Sequence, residues 1–118
     1  MIPKLDILLN ATRKLIRKDA SANLIKMVAK LHPADTAELL KHLNPSERIY
    51  LFDLLTDKEE IAKIFGELDV MIRTEMLEHM NDRSISDLLL EMPHEDVADI
   101  IGEMSEEVAQ KILDSIST

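Results

Sequence analysis

Three carboxylates, Glu95, Asp96 and Asp99, stand together in the run PHEDVADIIGEM at 93–104. Glu95 and Asp99 are four residues apart, so on a helix both leave the same face, one turn apart. Two hard oxygen donors suit Mg²⁺, which takes octahedral oxygen coordination and keeps several waters. Glu95 and Asp99 are therefore the candidate metal ligands, with Asp96 auxiliary. Two side chains do not fill an octahedron. The expected Mg²⁺ binding is weak on the chain alone and stronger where a partner adds oxygens, and no ion is needed for folding. The same acids have a structural use, because carboxylates in a first helical turn face the positive end of the helix dipole.

Other groups carry less chemistry. Glu59, near Asp57 and Glu60, stands three residues after Thr56, the spacing of a capping box. Glu103, Glu106 and Glu107 are spread widely enough to give a diffuse field, which ordinary salt screens. His32, His42, His79 and His94 form no HExxH pair, and the chain has no cysteine. Zinc hydrolysis, thiolate metal sites, disulfides and cysteine nucleophiles lose their sequence basis. Neither a phosphate-binding glycine loop nor a nucleophile elbow occurs. The expectation is a protein that is not an enzyme.

Charge separates along the chain. The net charge is −9, but residues 1–31 hold seven basic and two acidic side chains, and residues 32–118 seven and twenty-one. A field this negative disfavours nucleic acid. The basic cluster Arg13, Lys14, Arg17 and Lys18 suits a solvated helix C-terminus; contact with anionic lipid or an acidic partner surface is the alternative. No apolar stretch is long enough to span a membrane, and charges interrupt every run that could serve as a signal peptide.

The elements that position these groups follow a ruler of about twelve residues. Apolar residues close successive segments at Leu31, Leu43, Leu55, Leu68, Met80, Met92, Met104 and Ile116. Within segments, apolar residues recur at spacings of three and four, as in Leu39, Leu40 and Leu43, which is helical. Asn44 before Pro45 with Glu47 reads as a capping box, and Thr56 with Glu59 repeats it. Asp69, Asn81 and Ser105 are candidate caps, and His32 precedes Pro33. Helices of roughly 15 Å are marginal alone and must be held by packing.

The expected fold is all-α: a right-handed superhelix, or solenoid, of about nine short helices. Residues 1–118 read as one domain, with 1–31 a less regular helical cap and 32–116 the repeat array. The cap comprises helices over Ile2–Arg17 and Asn23–Leu31. Phe52, Phe65 and the repeat methionines Met76, Met80, Met92 and Met104 are expected in the core. Tyr50 is expected at its edge with a wet hydroxyl. Gly66 and Gly102 lie near segment ends, where tight helix turning or close packing is expected to use a missing side chain.

The run HPADTAELLKHLNPSERIYLFDLL at 32–55, with PHEDVADIIGEM at 93–104, resembles the N-terminal cytosolic domain of MgtE-type magnesium transporters and channels. The resemblance implies a superhelix of short helices on the cytosolic side of a homodimeric membrane protein. This segment would itself be soluble. In such transporters, CBS modules and a membrane pore follow in the same polypeptide. Bound Mg²⁺ bridges the acidic surface to the CBS modules and favours pore closure. The resemblance also carries interdomain metal acids onto Glu95 and Asp99. A further family acid one segment earlier falls near Lys63, a departure from the pattern. Nothing here resembles CBS or pore segments, so the expected role is regulation rather than transport. The alternative is a stand-alone helical interaction module with no transport role.

Overall fold

The computed structural model describes residues 4–116. Nine α-helices, and no strand, occur among them. They are α1 (Leu5–Arg17), α2 (Ser21–Ala29), α3 (Pro33–His42), α4 (Pro45–Leu54), α5 (Lys58–Gly66), α6 (Val70–His79), α7 (Asp82–Leu90), α8 (His94–Glu103) and α9 (Glu106–Ile116). The expected start of the first helix at Ile2 lies outside the described residues. The second helix begins at Ser21 rather than Asn23 and ends at Ala29 rather than Leu31.

Local chemistry sets most boundaries. Asn44 Oδ1 accepts from the Glu47 N–H at 2.9 Å, and Glu47 Oε1 accepts from the Asn44 N–H at 3.0 Å, completing the capping box of α4. Asp69 and Asn81 accept from the third residues of α6 and α7, the N–H groups of Ile72 and Ser84. His32 Nδ1 accepts from the Ala34 N–H at 3.1 Å at the start of α3. Ser105 Oγ accepts from the Val108 N–H at 3.3 Å. Each interaction satisfies a donor that the helix leaves without an internal partner. Helix α5 opens at Lys58, with Asp57 immediately before it.

The chain divides into two compact units, Met1–Asp57 and Lys58–Thr118. In the first, α1 packs on α2, α3 and α4. Residues 1–31 therefore share a unit with the first segments of the repeat. Its core includes Leu5, Leu9, Leu24, Val28, Leu39, Leu40, Leu51 and Phe52. Helix α1 ends in a Schellman turn: Ala20 N–H donates to Leu15 O, Asp19 N–H donates to Ile16 O, and Asp19 is left-handed at φ 53°. The Tyr50 hydroxyl donates to the Asp19 carboxylate. Tyr50 is half-buried, and its hydroxyl binds protein instead of water alone. Arg13 bonds Glu47 and the His42 carbonyl, tying α1 to the α3–α4 turn.

In the second unit α7 packs on α5 and α9, and α9 also meets α6 and α8. Phe65, Leu68, Met76, Leu77, Ile85, Ile100 and Ile112 are essentially inaccessible to solvent. Met80 and Met92 are buried and Met104 is half-buried, so these repeat methionines pack. The two glycines correct an expectation. A Cβ added at Gly66 or Gly102 would meet nothing within 4 Å, and neither has positive φ. Close packing does not require either.

Candidate functional site

Helix α8 begins after Pro93, which lies at φ −59° and offers no side-chain acceptor. The Pro93 carbonyl accepts from the N–H groups of Asp96 and Val97. Glu95 and Asp96 occupy the first turn, where the helix dipole favours carboxylates. Ile100 is the fully buried residue of α8 and fixes which way the helix faces.

That anchoring turns Asp96, Asp99 and Glu103 into one cleft of about 150 Å³, with Gly66, Arg73, Met92 and Ile100 completing its lining. Their spacings of three and four make a single helical stripe. Glu95 is exposed and does not line this cleft. Of the three candidate ligands, all exposed, Asp96 and Asp99 line this cleft and Glu95 does not.

The cleft contains its own cation. Arg73 Nη1 lies 2.7 Å from Glu103 Oε2, and Arg73 Nε donates to the Leu68 carbonyl at 2.7 Å. Neutralising Glu103 leaves Asp96 and Asp99 as the carboxylates in the cleft without that partner. Arg48 makes a parallel interaction in the first unit, donating to the carbonyls of Leu40 and Leu43. Each arginine stands four residues after a capping residue, Asn44 or Asp69, and reaches back five residues to a segment-closing leucine. That recurrence marks both arginines as ties to the preceding chain. It was a readable signal, and it identifies Arg73 as the group that sequence reasoning missed.

A second cleft of about 240 Å³ is lined by Glu59, Lys63, Glu91 and Asp96, with Ala62, Gly66, Met92 and Pro93. Asp96 borders both clefts. Lys63, where the resemblance places a family acid, puts an ammonium in the second. Lys111 is occupied elsewhere, donating to the Leu77 and Glu78 carbonyls at 3.0 Å each. None of the four histidines lines either of these clefts.

Among the described residues, no three His, Cys, Asp or Glu side chains are arranged to hold a metal ion. The donor set fits Mg²⁺ in part: two hard carboxylates share a cleft, and waters or another surface would have to supply the remaining positions. No helix of the described residues is long and apolar enough to cross a membrane. Residues 31–118 match the MgtE intracellular N domain. Comparison with curated proteins gives no match.

Proposed function

Because the chain belongs to the MgtE intracellular N domain family, we propose that it is the cytosolic regulatory part of a magnesium transporter or channel. Its acid-bearing face on α8 would respond to divalent cation. The placement of Asp96 and Asp99 in one cleft supports this reading most. These two residues would hold Mg²⁺ through carboxylate oxygens, and Glu95, exposed on the same helix, would meet a partner surface.

The ion would act by cancelling repulsion. Two carboxylates facing an acidic or carbonyl-lined partner oppose docking until a divalent cation lies between them. Docking is thereby linked to cation concentration. CBS modules of the same polypeptide, within a homodimer, are the proposed partner, and the docked state would favour pore closure. Arg73 competes with the ion for cleft charge and limits affinity in the absence of the partner.

The experiment is calorimetric titration of Mg²⁺ into the chain and into the transporter that contains it. Binding to the chain alone is expected to be weak, because two carboxylates leave most of the octahedron to water, and tighter in the assembly. Glu95→Ala/Asp99→Ala and Asp96→Asn/Asp99→Asn should each lower affinity in the assembly. Equal affinity in wild type and both double variants would refute the assignment.

A second reading has a specific observation behind it. Met71 is 83% exposed and Leu90 is 78% exposed on the second unit, as suits a helical protein-interaction module. A protein partner retained in excess chelator would favour that reading over cation-dependent docking.

A further inference from the structure

We propose that the outward face of α1, aided by exposed side chains of α2, docks on an anionic phospholipid surface. The proposal goes beyond the divalent-cation reading and uses none of its residues. Both helices precede the stretch matched to the family.

The first observation is local charge. Residues 1–57 carry nine basic and seven acidic side chains, whereas residues 58–118 carry five and sixteen. Lys4, Lys14, Arg17, Lys18, Lys26 and Lys30 are all exposed. Among the described residues, Lys14, Arg17, Lys18, Lys26 and Lys30 form no ion pair. Arg13, by contrast, is committed to Glu47 and the His42 carbonyl. The two acids of residues 1–31 are Asp6, in the first turn of α1, and Asp19, which accepts from Tyr50.

The second observation is an apolar side chain within this field. Ile7 is 64% exposed, and Ile25 on α2 is 45% exposed. At about 100° per residue, Ile7, Ala11, Lys14 and Lys18 fall within an arc of about 60°. That arc is roughly opposite the buried Leu5, Leu9 and Thr12. An exposed isoleucine on the helix face that carries Lys14 and Lys18 matches a lipid interface. The apolar group enters the acyl boundary while the lysine stems run beside it and their ammonium groups stay among phosphates.

Other occupants fit less well. The face has no aromatic residue on which a nucleic-acid base could stack. Two copies of a chain with net charge −9 repel each other at long range. The same negative charge opposes approach to a membrane, so docking must be short-ranged. Its ionic contacts are solvent-exposed, so high salt should weaken them.

The test is cosedimentation of the 118-residue chain with vesicles of phosphatidylcholine alone, or of equal parts phosphatidylcholine and phosphatidylserine. The chain should pellet only with the mixed vesicles, and high salt should release it. Each cation near such a surface contributes about fivefold. Lys14→Gln/Arg17→Gln/Lys18→Gln should therefore weaken binding on the order of a hundredfold, and Ile7→Ser about tenfold. These side chains are exposed, and unchanged far-ultraviolet circular dichroism would establish that the variants fold. Equal pelleting with neutral vesicles, or undiminished binding by the triple variant, would overturn the proposal. So would concentration-dependent dimerisation that the triple variant abolishes while vesicles bind neither protein, because a second copy would then occupy the face.

Discussion

Replacing Arg73 by glutamine separates what holds the α8 cleft together from what the cleft does. The Arg73 side chain is 17% exposed and makes two bonds of 2.7 Å. The bond to the Leu68 carbonyl is charge-assisted and shielded, and such bonds contribute about 1.5–3 kcal/mol. The ion pair with Glu103 is half open to water, since the Glu103 side chain is 32% exposed, and is worth about 0.2–1 kcal/mol. Arg73→Gln should therefore cost about 2–4 kcal/mol, and Glu103→Gln no more than about 1 kcal/mol. For a chain of this length each kcal/mol moves the thermal midpoint by roughly 4 °C. The expected losses are about 8–16 °C and at most about 4 °C. Urea and thermal unfolding followed by circular dichroism, with the double variant closing the cycle, measure both terms. The functional effect has the opposite sign: without the guanidinium, Asp96 and Asp99 face less competing positive charge, so Mg²⁺ should bind more tightly to the less stable protein. Equal destabilisation by the two single variants would refute the assignment of the Leu68 bond. Weaker Mg²⁺ binding by Arg73→Gln would refute the competition.

Gly102→Ala should stabilise the chain by about 0.5–1 kcal/mol, because the residue is helical and its Cβ would enter open space; a lower midpoint in thermal unfolding would contradict this. Tyr50 supplies a pH signature. The hydrogen bond to the Asp19 carboxylate, followed by desolvation and the carboxylate's charge, holds its phenol above the usual 10.0. The folded state therefore keeps this proton when the unfolded chain loses it. The contribution is complete below pH 10, declines above it, and is lost as pH rises through the folded pKa. Tyr50→Phe should flatten the alkaline fall in stability, and phenolate absorbance of this sole tyrosine should shift upward in the folded protein. An identical alkaline decline in both proteins would contradict the assignment.

The local fold was legible because its signals are local. The capping box Asn44–Glu47, the caps at Asp69 and Asn81, and the apolar spacing within segments depend on neighbours three or four residues away. Boundaries near Asn23 were less legible: the α1–α2 turn rests on a Schellman motif with Asp19, rather than glycine, in the left-handed position. The glycines misled for a related reason, since a missing Cβ has packing value only where another chain segment approaches. At the candidate site, periodicity placed Glu95 and Asp99 on one helix. It did not reveal that Ile100 would turn Asp96 toward the cleft and leave Glu95 outside it. The Arg73–Glu103 pair spans thirty residues, so its geometry depends on packing rather than local spacing. The basic N-terminal stretch was visible as charge, but only the structure separates Arg13, bound within the first unit, from the exposed Lys14, Arg17 and Lys18.

The proposed divalent contact on α8 is tested most directly by adding Mn²⁺, a paramagnetic ion that shares the oxygen preference of Mg²⁺, to the isotope-labelled chain. Amide resonances of residues 95–103 should broaden first, excess Mg²⁺ should restore them, and Asp96→Asn/Asp99→Asn should abolish the effect. Uniform broadening across the acidic surface, or selective broadening that persists in that double variant, would contradict the account.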